Sequence, residues 1–209
     1  VAGAFSHPFT HKETIALTKA MIETGEKLSF DHKIIVDKHC IGGVAGNRTT
    51  PIFVALLAAA GLYVPKTSSR AITSGAGTVD TLEVFCSVSF STKEIKRIVK
   101  KTHACMVWGG AVNLAPADHK LIRVENPLNI SSQPLILSSV LSKKASVGAT
   151  HLVIDIPYGT GAKISNRREA QELKNSFEKL SQSLGIKTAV VLTDGTNPIG
   201  NGIGPLLEA

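Results

Sequence analysis

Glycine falls in this sequence where a parallel sheet would need it. Five groups each follow a stretch that reads as a strand: Gly42, Gly43 and Gly46; Gly75 and Gly77; Gly109 and Gly110; Gly159 and Gly161; and Gly200, Gly202 and Gly204. Between them lie segments of helical period. Thr10 and Glu13 form a capping box ahead of a helix over 10–24, which Gly25 can end. Ser91 and Glu94 repeat that pattern before a helix that ends near Thr102. Further helices are expected over 50–60, 78–85, 135–147 and 167–184. Strands are expected over 33–36, 62–66, 104–108, 151–156 and 188–192. Such alternation predicts an α/β fold, a central and mostly parallel sheet flanked by helices.

In open α/β sheets ligands bind at the carboxyl ends of the strands, where the glycine groups sit. Glycine there serves tight βα turns, and it also lets backbone N–H groups approach an anion beside a helix N-terminus. Five groups on one sheet edge favour a phosphate-handling cleft.

Composition narrows the classes. Of 209 residues, 43% are hydrophobic and 19% charged, a globular balance. The net charge of +7 would suit a nucleic acid, an anionic surface or a phosphate-bearing small molecule. Aromatic residues make up only 5%, too few for platforms that stack single strands, and the densest basic stretch (Lys93, Lys96, Arg97, Lys100 and Lys101) has helical spacing and reads as a solvated face. No nucleic-acid partner is expected. The longest apolar run, 52–62, has the length of a core helix, so no membrane partner is expected either. Three distant cysteines (Cys40, Cys86 and Cys105) and the absence of a signal-like start point to a reducing, cytoplasmic setting. Cys86 and Cys105 read as core residues. Residues 204–209 read as a helix just begun, the mark of a segment of a longer protein.

Several motifs are missing. There is no G-x-x-x-x-G-K-S/T, no G-x-G-x-x-G after a strand and no G-x-S-x-G elbow. His7 and His11 are four apart, but Pro8 argues against a metal pair, and no other Cys/His spacing suits zinc. No metal is expected.

Three segments carry chemistry. In the first, 36–50, a strand enters Asp37-Lys38-His39-Cys40, a glycine loop follows, and Thr49 and Thr50 open a helix. Lys38, loop N–H groups and a threonine hydroxyl can together hold an oxyanion. The second, 66–80, offers hydroxyls and Arg70 between glycines, and the third is Asn113-Leu114-Ala115-Pro116-Ala117-Asp118.

These segments resemble the thymidine/pyrimidine-nucleoside phosphorylase family, which carries D-K-H-S-T/I-G-G-V, an S-x-R stretch before G-T-x-D, and L-A-P-A-D. Residues 67–74 and 154–157 look most like its type-2 branch, which also contains AMP phosphorylases. The resemblance runs from about residue 10 to 209. It implies a nucleoside phosphorylase/phosphoribosyltransferase-like fold: residues 1–30 as part of a small helical domain and linker, 31–209 as the central phosphate- and nucleoside-binding domain, and a C-terminal domain lying outside this chain.

The resemblance also implies an activity, the reversible phosphorolysis of thymidine to thymine and 2-deoxyribose 1-phosphate. No cofactor is implied, since inorganic phosphate is a co-substrate, and a homodimer is implied for the full-length protein. Lys38, Cys40, Gly43, Thr50, Ser68 and Thr78 would bind phosphate. His39 would lie beside the scissile bond, and Ser139 and Lys143 would contact the base, Lys143 donating to its carbonyl. The AMP phosphorylases imply nucleotide contacts at Ser69, Arg70, Ala71, Ile72, Thr73, Ser74, Ser139 and Lys163, with Lys163 on a 5′-phosphate.

Departures keep alternatives open. Cys40 stands where the family usually has Ser, and a thiol donates more weakly than a hydroxyl. Arg123 is out of register with the base-holding Arg of the pyrimidine branch; Val124 and Glu125 fill those positions. The proton-donating Asp of the AMP phosphorylases falls at Ser131, which cannot act as a general acid at neutral pH. The alternatives are therefore a nucleoside monophosphate phosphorylase that yields ribose 1,5-bisphosphate, and a non-catalytic nucleotide-binding module. The related anthranilate phosphoribosyltransferases are more distant, because they need acidic residues for Mg²⁺ and no suitable pair is evident here.

Overall fold

A computed structural model describes residues 2–7, 9–71, 75–128 and 132–209. Five parallel strands form the sheet: β1 (Val36–Cys40), β2 (Val64–Ser68), β3 (Ala104–Trp108), β4 (His151–Tyr158) and β5 (Lys187–Asp194). β1, β4 and β5 form one hydrogen-bonded group, with β4 in the middle, and β2 and β3 form another. A parallel bridge between Ile35 and Tyr63 joins the groups, sealed by the Val36 N–H donating to the Tyr63 carbonyl at 2.8 Å. The running order is thus β3-β2-β1-β4-β5. It reverses direction at β1, the kind of switch point where α/β sheets open a crevice.

The helices are α1 (Ala2–Ser6), α2 (His11–Glu23), α3 (Thr49–Ala59), α4 (Thr78–Leu82), α5 (Thr92–Thr102), α6 (Pro116–Leu128), α7 (Gln133–Ser146), α8 (Arg167–Ser183) and α9 (Pro205–Glu208). Both expected capping boxes form, at Thr10–Glu13 and Ser91–Glu94. α5 buries only Ile95 and Val99, so its lysines face solvent, as their spacing suggests. The main core joins α7, β4, α8 and β5 through Leu141, Ile154, Ile156, Phe177 and Leu180. A second core, with Ile95, Val99, Val107 and Val147, lies under β3 and α5. α2 packs on α7, where the buried Thr18 hydroxyl donates to Ser138 Oγ at 3.0 Å.

Four expectations need correction. The first strand is not 33–36 but Val36–Cys40, because pairing with His151–Asp155 decides its register over the β-branched run before it. The helix expected over 78–85 stops at Leu82. Two helices, α1 and α6, are not among those expected; α6 opens on a proline, which suits the first helical turn. Cys86 is exposed rather than in the core, its thiol donating to the Leu82 carbonyl at 3.3 Å. All three cysteines are free.

Candidate active site

β1 delivers Lys38 and His39 to the switch point. Strand alternation turns the Lys38 side chain inward to a buried position, where its Nζ donates to Thr49 Oγ1 at 2.8 Å. Thr49 starts α3, so the ammonium lies at a helix N-terminus; Thr50, the next residue, is also buried. Asn47 clasps the turn: its Oδ1 accepts from Thr49 Oγ1 at 3.0 Å, and its Nδ2 donates to Cys40 Sγ at 3.4 Å. Burial and nearby Asp155 push the Cys40 thiol up to about 11, so it stands here as a neutral group.

Backbone from other loops fills the space around this turn. Gly43 has φ +96°, and a Cβ there would sit 2.5 Å from the Lys163 nitrogen. At Gly46, φ is +71° and a Cβ would meet the Ile199 carbonyl oxygen at 2.0 Å. The Ile199 N–H donates to the Ala45 carbonyl at 2.9 Å. The loops after β1, β4 and β5 therefore fit together only with glycine at these two places. Lys163 is brought beside the phosphate-type loop in this way, and burial lowers its ammonium, with Glu125 opposing that shift.

On the other side of β1, Ser68 ends β2 half-buried, Ser69 is exposed, and Thr78 opens α4. Arg70 is engaged locally. Its guanidinium forms a fork on Glu83, reaches Asp80 at 3.3 Å and covers the Trp108 ring at 4.7 Å. Asp80 also accepts from the N–H groups of Ala71 (2.7 Å) and Gly77 (2.8 Å). The arginine and Asp80 thus brace the loop between β2 and α4. Ile72, Thr73, Ser74 and Ser131 lie outside the described residues.

α7 presents Ser139 and Lys143 one turn apart, as the sequence implies. Lys143 Nζ donates to Ser139 Oγ at 3.0 Å and to Asp118 Oδ2 at 2.7 Å. Asp118, from the Leu-Ala-Pro-Ala-Asp segment, is buried, and its Oδ1 has no hydrogen-bond partner among the described residues. Its carboxylate keeps Lys143 aimed. His39 is held well below the ordinary histidine value, first by burial and then by the cations Lys144, Lys66, Lys143 and Lys38. It is an uncharged imidazole at neutral pH.

The folded chain adds Asp118, Asp37, Lys66 and Lys144 to the residues that sequence motifs single out. Asp37, Asp118 and Lys66 lie inside the motifs quoted above, without a role that the motif itself assigns. Lys144 carries a readable signal: Leu137, Leu141 and Lys144 share the i, i+4, i+7 face of a helix whose other members are core residues.

Residues 32–204 match the family described as "Glycosyl transferase family, a/b domain". The chain is 52% identical over 209 residues to an AMP phosphorylase from Natronomonas pharaonis, covering all of this chain and 42% of that protein. It is 50% identical over 198 residues to a "Putative thymidine phosphorylase" from Ralstonia nicotianae, covering 95% of this chain and 39% of that one. The chain thus spans about two fifths of the length of these curated relatives. Among solved structures, anthranilate phosphoribosyltransferase from Thermus thermophilus superposes with a TM-score of 0.64 at 20% identity, over 92% of this chain and 54% of that one, a likeness of fold.

Proposed function

The chain belongs to the glycosyl transferase family through its α/β domain, and from that premise we propose that it is the central domain of a nucleoside phosphorylase acting on a pyrimidine nucleoside, thymidine. The observation that carries the reading is Lys38, held 2.8 Å from Thr49 at a helix N-terminus beside a glycine loop. That is an anion site on the strand next to the base-facing pair Ser139 and Lys143.

In the proposed reaction phosphate binds to Lys38, the turn at Cys40 and Gly43, and the hydroxyls of Thr50, Ser68 and Thr78. A phosphate oxygen forms a bond to C1′ as the C1′–N bond breaks, and the bonding pair leaves with the base. Lys143 donates a hydrogen bond to the base carbonyl on which that charge gathers. Neutral His39 lies beside the breaking bond and orients it without adding positive charge. The base anion takes up one proton, matching the one that hydrogen phosphate loses, so the products are free base and the sugar 1-phosphate.

A second reading, phosphorolysis of a nucleoside 5′-monophosphate, is favoured by Lys163. Its backbone lies against Gly43, so its side chain starts beside the phosphate loop, and an ammonium there suits a second phosphoryl group.

The deciding experiment incubates the intact protein with phosphate and either thymidine or AMP, and separates released base by chromatography. Thymine supports the first reading and adenine the second; release of neither refutes phosphorolysis and leaves a nucleotide-binding module. Lys38→Ala should weaken phosphate by about 1.5–3 kcal/mol, the worth of a charge-assisted hydrogen bond, read by calorimetry. Lys163→Ala should raise KM for a monophosphate while leaving that of a nucleoside unchanged if the second reading holds; equal losses would count against it.

A further inference from the structure

Behind the anion loop lies a charge cluster that touches no proposed substrate. Asp37 is fully buried on β1. Its Oδ2 accepts from Lys144 Nζ of α7 at 2.8 Å, and its Oδ1 lies 3.6 Å from Lys66 Nζ of β2. The same Oδ1 accepts the Lys38 N–H at 2.7 Å, and Lys66 Nζ also donates to the Thr67 carbonyl at 2.6 Å. The side chains of Asp37, Lys66 and Lys144 are each 5% exposed or less.

Two lysines face one carboxylate; burial pushes the Lys144 ammonium down to about 7, with Asp37 opposing that shift, so the surplus positive charge in the core is present in full only below that pH. As a stability device this is poor, since desolvation cancels most of the attraction and apolar side chains of equal volume do as well. Its place is more telling. β1 and β2 are bridged at Ile35–Tyr63, and the cluster occupies the position just beyond, where the two strands run on toward their carboxyl ends. A buried charge there is unscreened by salt and already oriented, so it acts on an anion ahead of it at no cost in reorganisation.

We propose that Asp37, Lys66 and Lys144 are positioning residues of the phosphate site. The Asp37 carboxylate fixes the Lys38 main chain, and the surplus charge of the two lysines raises anion affinity from behind the loop without contact. The proposal deepens the phosphorolysis reading and rests on it. His39, which feels Lys38 from β1, Lys66 from β2 and Lys143 and Lys144 from α7, is kept uncharged by burial first and by these lysines second.

The test is calorimetric titration of the intact protein with inorganic phosphate, for the parent, Lys144→Met, Lys66→Met and Lys38→Ala, alongside thermal unfolding and nucleoside KM. In either methionine variant Asp37 keeps one lysine, so no carboxylate is stranded. Each should bind phosphate about tenfold more weakly or worse, with nucleoside KM unchanged and unfolding midpoints at or above the parent's. Phosphate affinity within about twofold of the parent in these variants, with Lys38→Ala losing it, would overturn the proposal and leave phosphorolysis standing. A parent that binds no phosphate would overturn both. If the methionine variants do not fold, ionic strength applied to the parent decides. A buried source keeps phosphate affinity within about threefold across a tenfold range of salt, and a steeper loss refutes it.

Discussion

Burial first, and then the nearby lysines Lys144, Lys66, Lys143 and Lys38, set how His39 at the end of β1 responds to pH. Its folded value lies well below the unfolded one, which is about 6.5. Above 6.5 both states hold it neutral and it contributes nothing to the pH dependence of stability. As pH falls below 6.5, the unfolded chain takes up the proton first, so stability declines down to the folded value. Denaturant unfolding should therefore show a loss on acidification that His39→Gln lacks. Across pH 6 to 8, NMR of the imidazole should show no inflection; a midpoint near 6.5 would disprove the cationic surround. The neighbouring residues show why sequence legibility is uneven at this scale. Lys38, Ser139 and Lys143 are readable because motif and helical spacing fix them. Lys144 shows only as a lysine on a core face, and the pairings of Asp118 and Asp37 are not readable, because their partners lie 25 to 107 positions away and only the folded chain brings them together.

At the scale of elements, helices announced by capping boxes are legible almost to the residue, because caps are local chemistry. β1 is displaced from its expected place because Asp37, Lys38 and His39 look unlike a strand, and pairing with β4 holds them extended. α6 lacks a capping box, and α1 is a single short turn, so neither carries a start signal. The joints between loops are invisible until the chain is folded. Glycine after a strand is legible; which backbone it meets is not. Gly43→Ala puts a Cβ 2.5 Å from the Lys163 nitrogen at a left-handed φ, so we expect about 1–3 kcal/mol of lost stability together with weakened phosphate binding. Gly61→Ala is the control: φ is similarly positive, at +81°, but nothing lies within 4 Å. It should lower stability and leave phosphate affinity alone. Parallel denaturation and calorimetry check both, and equal phosphate losses in the two variants would refute the joint.

For the whole molecule, phosphate is expected to act as a structural clamp between strand groups joined at one bridge. A ligand that binds only the folded state adds stability by mass action, about 2.7 kcal/mol at a hundred times its dissociation constant. Thermal unfolding should rise with phosphate concentration on that schedule, and a flat response would argue against an anion site at β1. The fold class follows from alternation and glycine placement, since only parallel strands put every such turn on one edge. No helix among the described residues is long and apolar enough to cross a membrane.

The keyed loops divide the site by how easily it can be altered. Around Gly43 and Gly46 main chain touches main chain, so a new side chain displaces two or three loops at once. On α7, Ser139 and Lys143 are engaged through their side chains, with each other and, for Lys143, with Asp118. The half that would grip the anion is thus rigid against substitution, whereas the half proposed to face the base is held by side chains. A scaffold partitioned this way keeps one co-substrate fixed while its preference for the other is retuned a residue at a time.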